Sequence, residues 1–107
     1  METTTIKVLK YGAMVRLDKV DLYGYCGREL HPGKEDEGFL GIVVGNVVCT
    51  WDAEGVMRSD DQIKMNVLGG TEYTITGEDE GWVDVMYTVM DPSGRKLELM
   101  NHEIEVM

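Results

Sequence analysis

A chain of 107 residues suffices for one ordinary domain or two very small ones. It carries 20 acidic against 10 basic residues, a net charge of −10, and such a surface repels phosphates and disfavours direct binding of DNA or RNA. No stretch approaches the roughly 18–20 apolar residues that cross a bilayer, and METTTIKVLK at the start lacks the apolar core of a signal peptide.

Strand signals dominate from there. Met14 to Leu17 alternates, with Val15 and Leu17 on one side and Arg16 and Asp18 on the other. Residues 21–38, DLYGYCGRELHPGKEDEG, form a long glycine-rich connection, and loops of that length are usually functional or locally structured. FLGIVV is apolar and β-branched, and it meets Gly45-Asn46, a dipeptide suited to a tight hairpin turn before VVCTW. Asp52-Ala53-Glu54-Gly55 reads as a turn, and Ile63 to Leu68 and Glu72 to Thr76 read as strands. The clearest strand is Trp82 to Met90. Val83, Val85, Tyr87 and Val89 share one face; Trp82, Asp84, Met86, Thr88 and Met90 share the other. Asp91-Pro92-Ser93-Gly94 is a strong turn, KLELM and EIEVM close the chain as strands, and Asn101 is placed to open one helical turn before the last. No window sustains a helical stripe, so the expected class is all-β.

The string EDEG occurs twice, as Glu35-Asp36-Glu37-Gly38 before Phe39 and as Glu78-Asp79-Glu80-Gly81 before Trp82. Asp52–Gly55 aligns with Asp91–Gly94, and Met65 and Val67 then meet Ile104 and Val106. Two halves, residues 1–68 and 69–107, are therefore expected either as a duplication or as one compact domain with two similar β-rich parts.

The string VRLDKV…HPGKEDEGFLGIVVGNVVCTWDAEGV…IKMNVL resembles the small SH3-like barrels related to Tudor and KOW domains. Gly38, Gly41, Val43, Trp51, Asp52 and Gly55 stand at the matching places, and VMYTVMDPSGRKLELMNHEIEVM is similar to the last hairpin and closing strand of such a domain. The resemblance implies an SH3-like small barrel, possibly two tandem SH3-like halves packed together. It says little of function, because such barrels host many unrelated activities. Small proteins of this kind are common in phages and bacterial accessory loci. Nothing in the spacing of Phe39, Trp51, Trp82 and the tyrosines places them in an aromatic cage.

Glu35, Asp36, Glu37 and Phe39, with Glu78, Asp79, Glu80 and Trp82, are the candidate partner-binding residues. Carboxylates beside an aromatic suit a partner with an apolar patch and a basic rim. The competing reading is a solvated turn that discourages edge pairing, followed by a core aromatic. Neither loop has the register of a calcium-binding EF-hand. Cys26, His31, Cys49 and His102 match no zinc spacing, and two cysteines make no disulfide framework. Cys26 with His31 is the one tempting nucleophile–base pair, without a third orienting group. No enzyme activity, cofactor or metal is expected. The expected protein is cytoplasmic, with reduced thiols. It is read as a non-enzymatic acidic interaction protein that binds a basic surface of another protein, an inhibitor or phage-type modulator of a nucleic-acid-processing enzyme. The alternative is an assembly subunit of a multiprotein complex, with charge serving solubility only. Partner identity and oligomeric state stay open.

Overall fold

The structure, a computed structural model, describes residues 2–22, 28–51, 70, 72–77 and 82–107. Among them run β1 (Glu2–Lys7), β2 (Met14–Leu17), β3 (Leu40–Trp51), β4 (Glu72–Gly77), β5 (Trp82–Met90), β6 (Lys96–Met100) and β7 (Ile104–Val106). Helix is limited among the described residues to two single 3-10 turns, Lys34–Asp36 and Asn101–Glu103. The protein is all-β, and every strand pairing is antiparallel.

β1 and β4 pair as a two-stranded ribbon, with Glu2 opposite Gly77 and Lys7 opposite Glu72. The other five strands form one sheet in the order β6-β5-β3-β2-β7, with β6 and β7 as its edges. Strands from either side of residue 68 interleave in it: β3 pairs with β5, and β2 pairs with β7. β1 and its partnership with β4 were not expected from the sequence.

Gly45-Asn46 does not turn the chain. β3 runs straight through it from Leu40 to Trp51. A type I′ hairpin requires φ > 0 at both central residues, and neither Gly45 nor Asn46 has it. Instead the strand bulges. Val43 faces Val89 and Gly45 faces Thr88, so Val44 is the extra residue without an opposite number. The bulge shifts the phase of the side chains. Before it, Gly41 and Val43 are buried; after it, Asn46 and Val48 are. A change of phase within one strand looks like two strands in a sequence.

The inward face carries the core. Val15 and Leu17 of β2, Val43 and Val48 of β3, Val85, Tyr87 and Val89 of β5, and Leu97 and Leu99 of β6 cluster there with Val8 and Val20. Each such aliphatic side chain contributes about 1.5–3 kcal/mol when fully buried. Tyr87 is fully buried, and its hydroxyl accepts the N–H of Leu9 at 3.1 Å, which ties the chain after β1 to the sheet. The β5–β6 turn forms as the sequence implies. Asp91 Oδ1 accepts the N–H groups of Ser93 and Arg95 at 3.0 and 2.9 Å, and Gly94 takes the positive φ of 91°. The expected turn at Asp52–Gly55 and strand at Ile63–Leu68 lie outside the described residues.

Candidate interaction surface

The first acidic stretch is a 3-10 turn with three differently placed carboxylates. Asp36, its third residue, reaches back so that Oδ2 accepts the Gly33 N–H at 2.9 Å. Its Oδ1 accepts Arg95 Nη2 at 2.7 Å, with the carboxylate side chain only 7% exposed. The Gly33 N–H holds the Asp36 carboxyl below its ordinary value, and Arg95 assists, against the opposing effect of burial. Glu37 is exposed, and its Oε2 accepts the Val20 N–H at 2.9 Å. Glu35 is exposed. Gly38 follows with φ 95°, a conformation that favours glycine, and donates its N–H to Leu17 O at 2.7 Å. Phe39 is half-buried against the core, and the Arg95 guanidinium lies 5.7 Å from its ring centroid.

Glu78, Asp79 and Glu80 lie outside the described residues. Trp82 opens β5 opposite Trp51.

The sheet brings beside this turn a set of residues that sequence reasoning did not single out. Met14 of β2 faces Ile42 of β3, and Ile42 faces Met90 of β5, so three apolar residues form one row across the strands. Leu40 and Pro92 extend it into a groove of about 280 Å³ that also touches Asp91 and Gly94. Met14 is 50% and Leu40 43% exposed. On one flank Arg16, opposite both Leu40 and Glu105, bonds Glu105 at 3.0 Å and Asp18 at 3.3 Å. At the other end the row meets Lys96 of β6, exposed and opposite Met90. Arg95, in phase with the buried Leu97, instead lies on the core side with Phe39, where it bonds Asp36 and its charge helps Ser93 hold the Asp91 carboxyl low. Alternation assigns such residues to a face, but only register puts them in a row.

Asp21 and Arg28, on either side of residues 23–27, are both bound to one carboxylate. Arg28 and Glu103 form a buried ion pair. Glu103 closes the second 3-10 turn as Asp36 closes the first, with Oε1 accepting the Met100 N–H at 2.8 Å. Its Oε2 accepts the Asp21 N–H at 2.8 Å, and Arg28 also donates to Glu98 O at 3.0 Å. Both turns thus end in a carboxylate that bonds back three residues and pairs with an arginine from a distant segment.

The histidines have separate tasks. His31 Nδ1 lies 2.8 Å from Pro32 O, the tautomer in which Nε2 accepts from Arg28 at 3.0 Å. His102 sits between Asp84, 2.6 Å from Nδ1, and Asp21, 2.8 Å from Nε2. Burial lowers the His102 pKa, but the bonds to Asp21 and Asp84 and their charges outweigh it, and the net shift is upward. Two carboxylates on opposite edges of one ring cannot converge on a cation, and no group of three metal-ligating side chains is found among the described residues. Cys49 is buried in β3, while Cys26 lies outside the described residues. A second, shallower cleft of about 450 Å³ beside His102 is lined by Lys19, Val20, Asp21, Leu22 and Lys34.

Comparison with known proteins gives no match: no protein-family model, no curated protein and no solved structure is significantly similar to this chain.

Proposed function

We propose that the chain is a non-enzymatic acidic interaction protein that occupies a basic surface on another protein. The observation that carries this reading is how two arginines are used. Arg16 is matched by Asp18 and Glu105, and Arg95 by Asp36, while Glu35 and Glu37 stand exposed beside them. The arginines are neutralised within the chain, and the charge left to act outward is negative, in keeping with the net −10. Surfaces rich in Lys and Arg are built above all to bind nucleic acids. The partner class is therefore a nucleic-acid-processing enzyme, and the activity is inhibition or modulation of the phage-encoded kind.

The frame proposed for it is an SH3-like barrel. What supports it is β2, the long connection, the β3–β5–β6 meander and the short β7 returning to pair with β2, in an open sheet with β6 and β7 at its edges. The β1–β4 ribbon is an addition, with β4 drawn from the stretch between β3 and β5.

The test is capture of host proteins on the immobilised chain, followed by competition. A partner of this class is displaced by short duplex DNA and by rising salt, because screening weakens contacts between exposed charges. A complex indifferent to DNA and stable in about 1 M salt would sink the reading. The apolar row Met14–Ile42–Met90, with Met14 half in solvent and the other two half-buried, favours a second reading, in which the chain is an assembly subunit held by apolar contact and its charge serves solubility.

A further inference from the structure

We infer that the outer face of the sheet, along the row Met107–Met14–Ile42–Met90, packs against the same face of a second copy of this chain in two-fold symmetry. The inference goes beyond the acidic-interaction reading and does not depend on it.

The row crosses the whole sheet. Met14 faces Ile42, and Ile42 faces Met90. The Met107 N–H donates to Met14 O at 3.0 Å, which carries the β2–β7 ladder on to Met107. Lys96 closes the row opposite Met90. Leu40 and Pro92 widen the strip into the groove of about 280 Å³. Met107 is 64% exposed, and Met14 and Leu40 are about half in solvent. These side chains stand on paired strands, so backbone hydrogen bonds hold their register before association and lower its ordering cost. Methionine adapts to irregular apolar shapes, which lets one face pack against itself.

The charges at the two ends of the row select the occupant. At the β6 end stands Lys96, exposed and without an ion pair among the described residues. The carboxylates of that strand and its turn are engaged: Glu98 accepts the Leu30 N–H at 2.8 Å, and Asp91 accepts the N–H groups of Ser93 and Arg95. At the β7 end Asp18 and Glu105 hold Arg16 between them, two carboxylates to one guanidinium. A basic partner meets Lys96 at one end, and an acidic partner meets Asp18 and Glu105 at the other. A second copy satisfies both ends. Sheets pack face to face with their strands nearly aligned. A two-fold axis parallel to the strands through Ile42 reverses the row, so that Ile42 meets its counterpart and Met14 meets Met90 of the second copy. Lys96 then lays its stem on Met107 and its ammonium toward Glu105 and Asp18. An axis across the strands would set Lys96 against Lys96, at the cost that like charges across an interface impose.

The experiment is sedimentation equilibrium of the full chain at about 0.15 M salt, where a Debye length of about 8 Å confines the repulsion between two acidic copies. The mass is expected to rise from 12.0 kDa toward twice that value as the concentration approaches about 1 mM. Met14→Ser and Leu40→Ser, at half-exposed positions, are each expected to weaken association about ten-fold, as loss of an interface anchor does, while the folded circular-dichroism spectrum persists. Lys96→Glu and Glu105→Lys are each expected to weaken it about three-fold or more, since the two-fold repeats every rim contact. Combining the two restores the opposite charges in exchanged places, and association is expected to recover toward the parent. A chain that keeps a mass of 12.0 kDa up to about 1 mM overturns the inference. So does association that both serine variants leave unchanged, because the contact then lies elsewhere. A double charge variant weaker than either single one overturns the two-fold arrangement and the inference with it.

Discussion

Arg28 and Glu103 stand 75 positions apart in the chain and meet with neither side chain exposed. Glu103 spends its two oxygens on the guanidinium and on the N–H groups of Met100 and Asp21. One buried carboxylate thereby joins the long connection, the end of β6 and the second 3-10 turn. Removing one partner of such a pair leaves an uncompensated buried charge, at about 3–5 kcal/mol. Glu103→Gln and Arg28→Met are each expected to lose that much in urea unfolding. The double variant Arg28→Met with Glu103→Leu is expected to lose clearly less than the two single losses added together, because no charge is left without its partner. Single variants within about 0.5 kcal/mol of the parent, the range of ordinary surface changes, would contradict it.

Two glycines of β3 separate close approach from mere flexibility. A Cβ at Gly41 would lie 2.5 Å from the carbonyl oxygen of Met90, a backbone atom that cannot yield cheaply. A Cβ at Gly45 would lie 3.7 Å from Thr88, an ordinary contact. Gly41→Ala is expected to cost about 1–3 kcal/mol, as overpacking does. Gly45→Ala is expected to be neutral or to stabilise by about 0.4–1 kcal/mol, because its φ is not positive and the unfolded chain loses freedom. Thermal melts of the two variants settle the comparison, and equal losses would argue against this packing at Met90.

Much of the sheet was legible because its strands alternate in phase. Val15 and Leu17, then Val85, Tyr87 and Val89, are buried as period two demands. The Asp91–Gly94 turn was legible because each residue type has one conformational task there. The bulge of β3 at Val44 breaks the alternation, with Gly41 and Val43 inward before it and Asn46 and Val48 after it, and Gly45-Asn46 offers a hairpin as the simpler cause. Asp36 was read as one of three equivalent acids, although only it is buried. Its arginine lies 59 residues away, and no local pattern announces a pairing over that distance. The apolar row depends on register between three strands, which alternation within one strand does not set.

His102 gives the pH dependence a sign. Its folded-state pKa is raised above the ordinary 6.5, since Asp21 and Asp84 favour the charged ring. The fold therefore gains stability from the imidazolium, fully present below about pH 6.5 and lost as pH rises through the folded value. Histidine-detected NMR titration should place the His102 midpoint above the ordinary value. His102→Gln should flatten the stability profile in that window. A His102 midpoint at or below 6.5 would remove the clamp between Asp21 and Asp84.

The acidic turn at Glu35–Glu37 should divide its labour between fold and partner. Asp36 bonds Gly33 and Arg95 from a buried position, in the manner of a capping carboxylate. Asp36→Asn is expected to cost about 0.5–2 kcal/mol at neutral pH, the usual worth of a helical cap. Its lowered pKa means that this stability is present above about 3.8 and is lost as pH falls through the folded value. The gap between parent and variant should therefore close in acid. Glu35 is exposed, and Glu35→Gln should leave unfolding within about 0.5 kcal/mol of the parent. Against a basic partner the roles are expected to reverse. Glu35→Gln should slow association at low salt, with the effect fading as salt rises, because a rim charge acts mainly on encounter. Stopped-flow association and urea unfolding on the same two variants read both halves. If Glu35→Gln associates as fast as the parent at low ionic strength, the turn serves the fold alone and the acidic reading loses this contact.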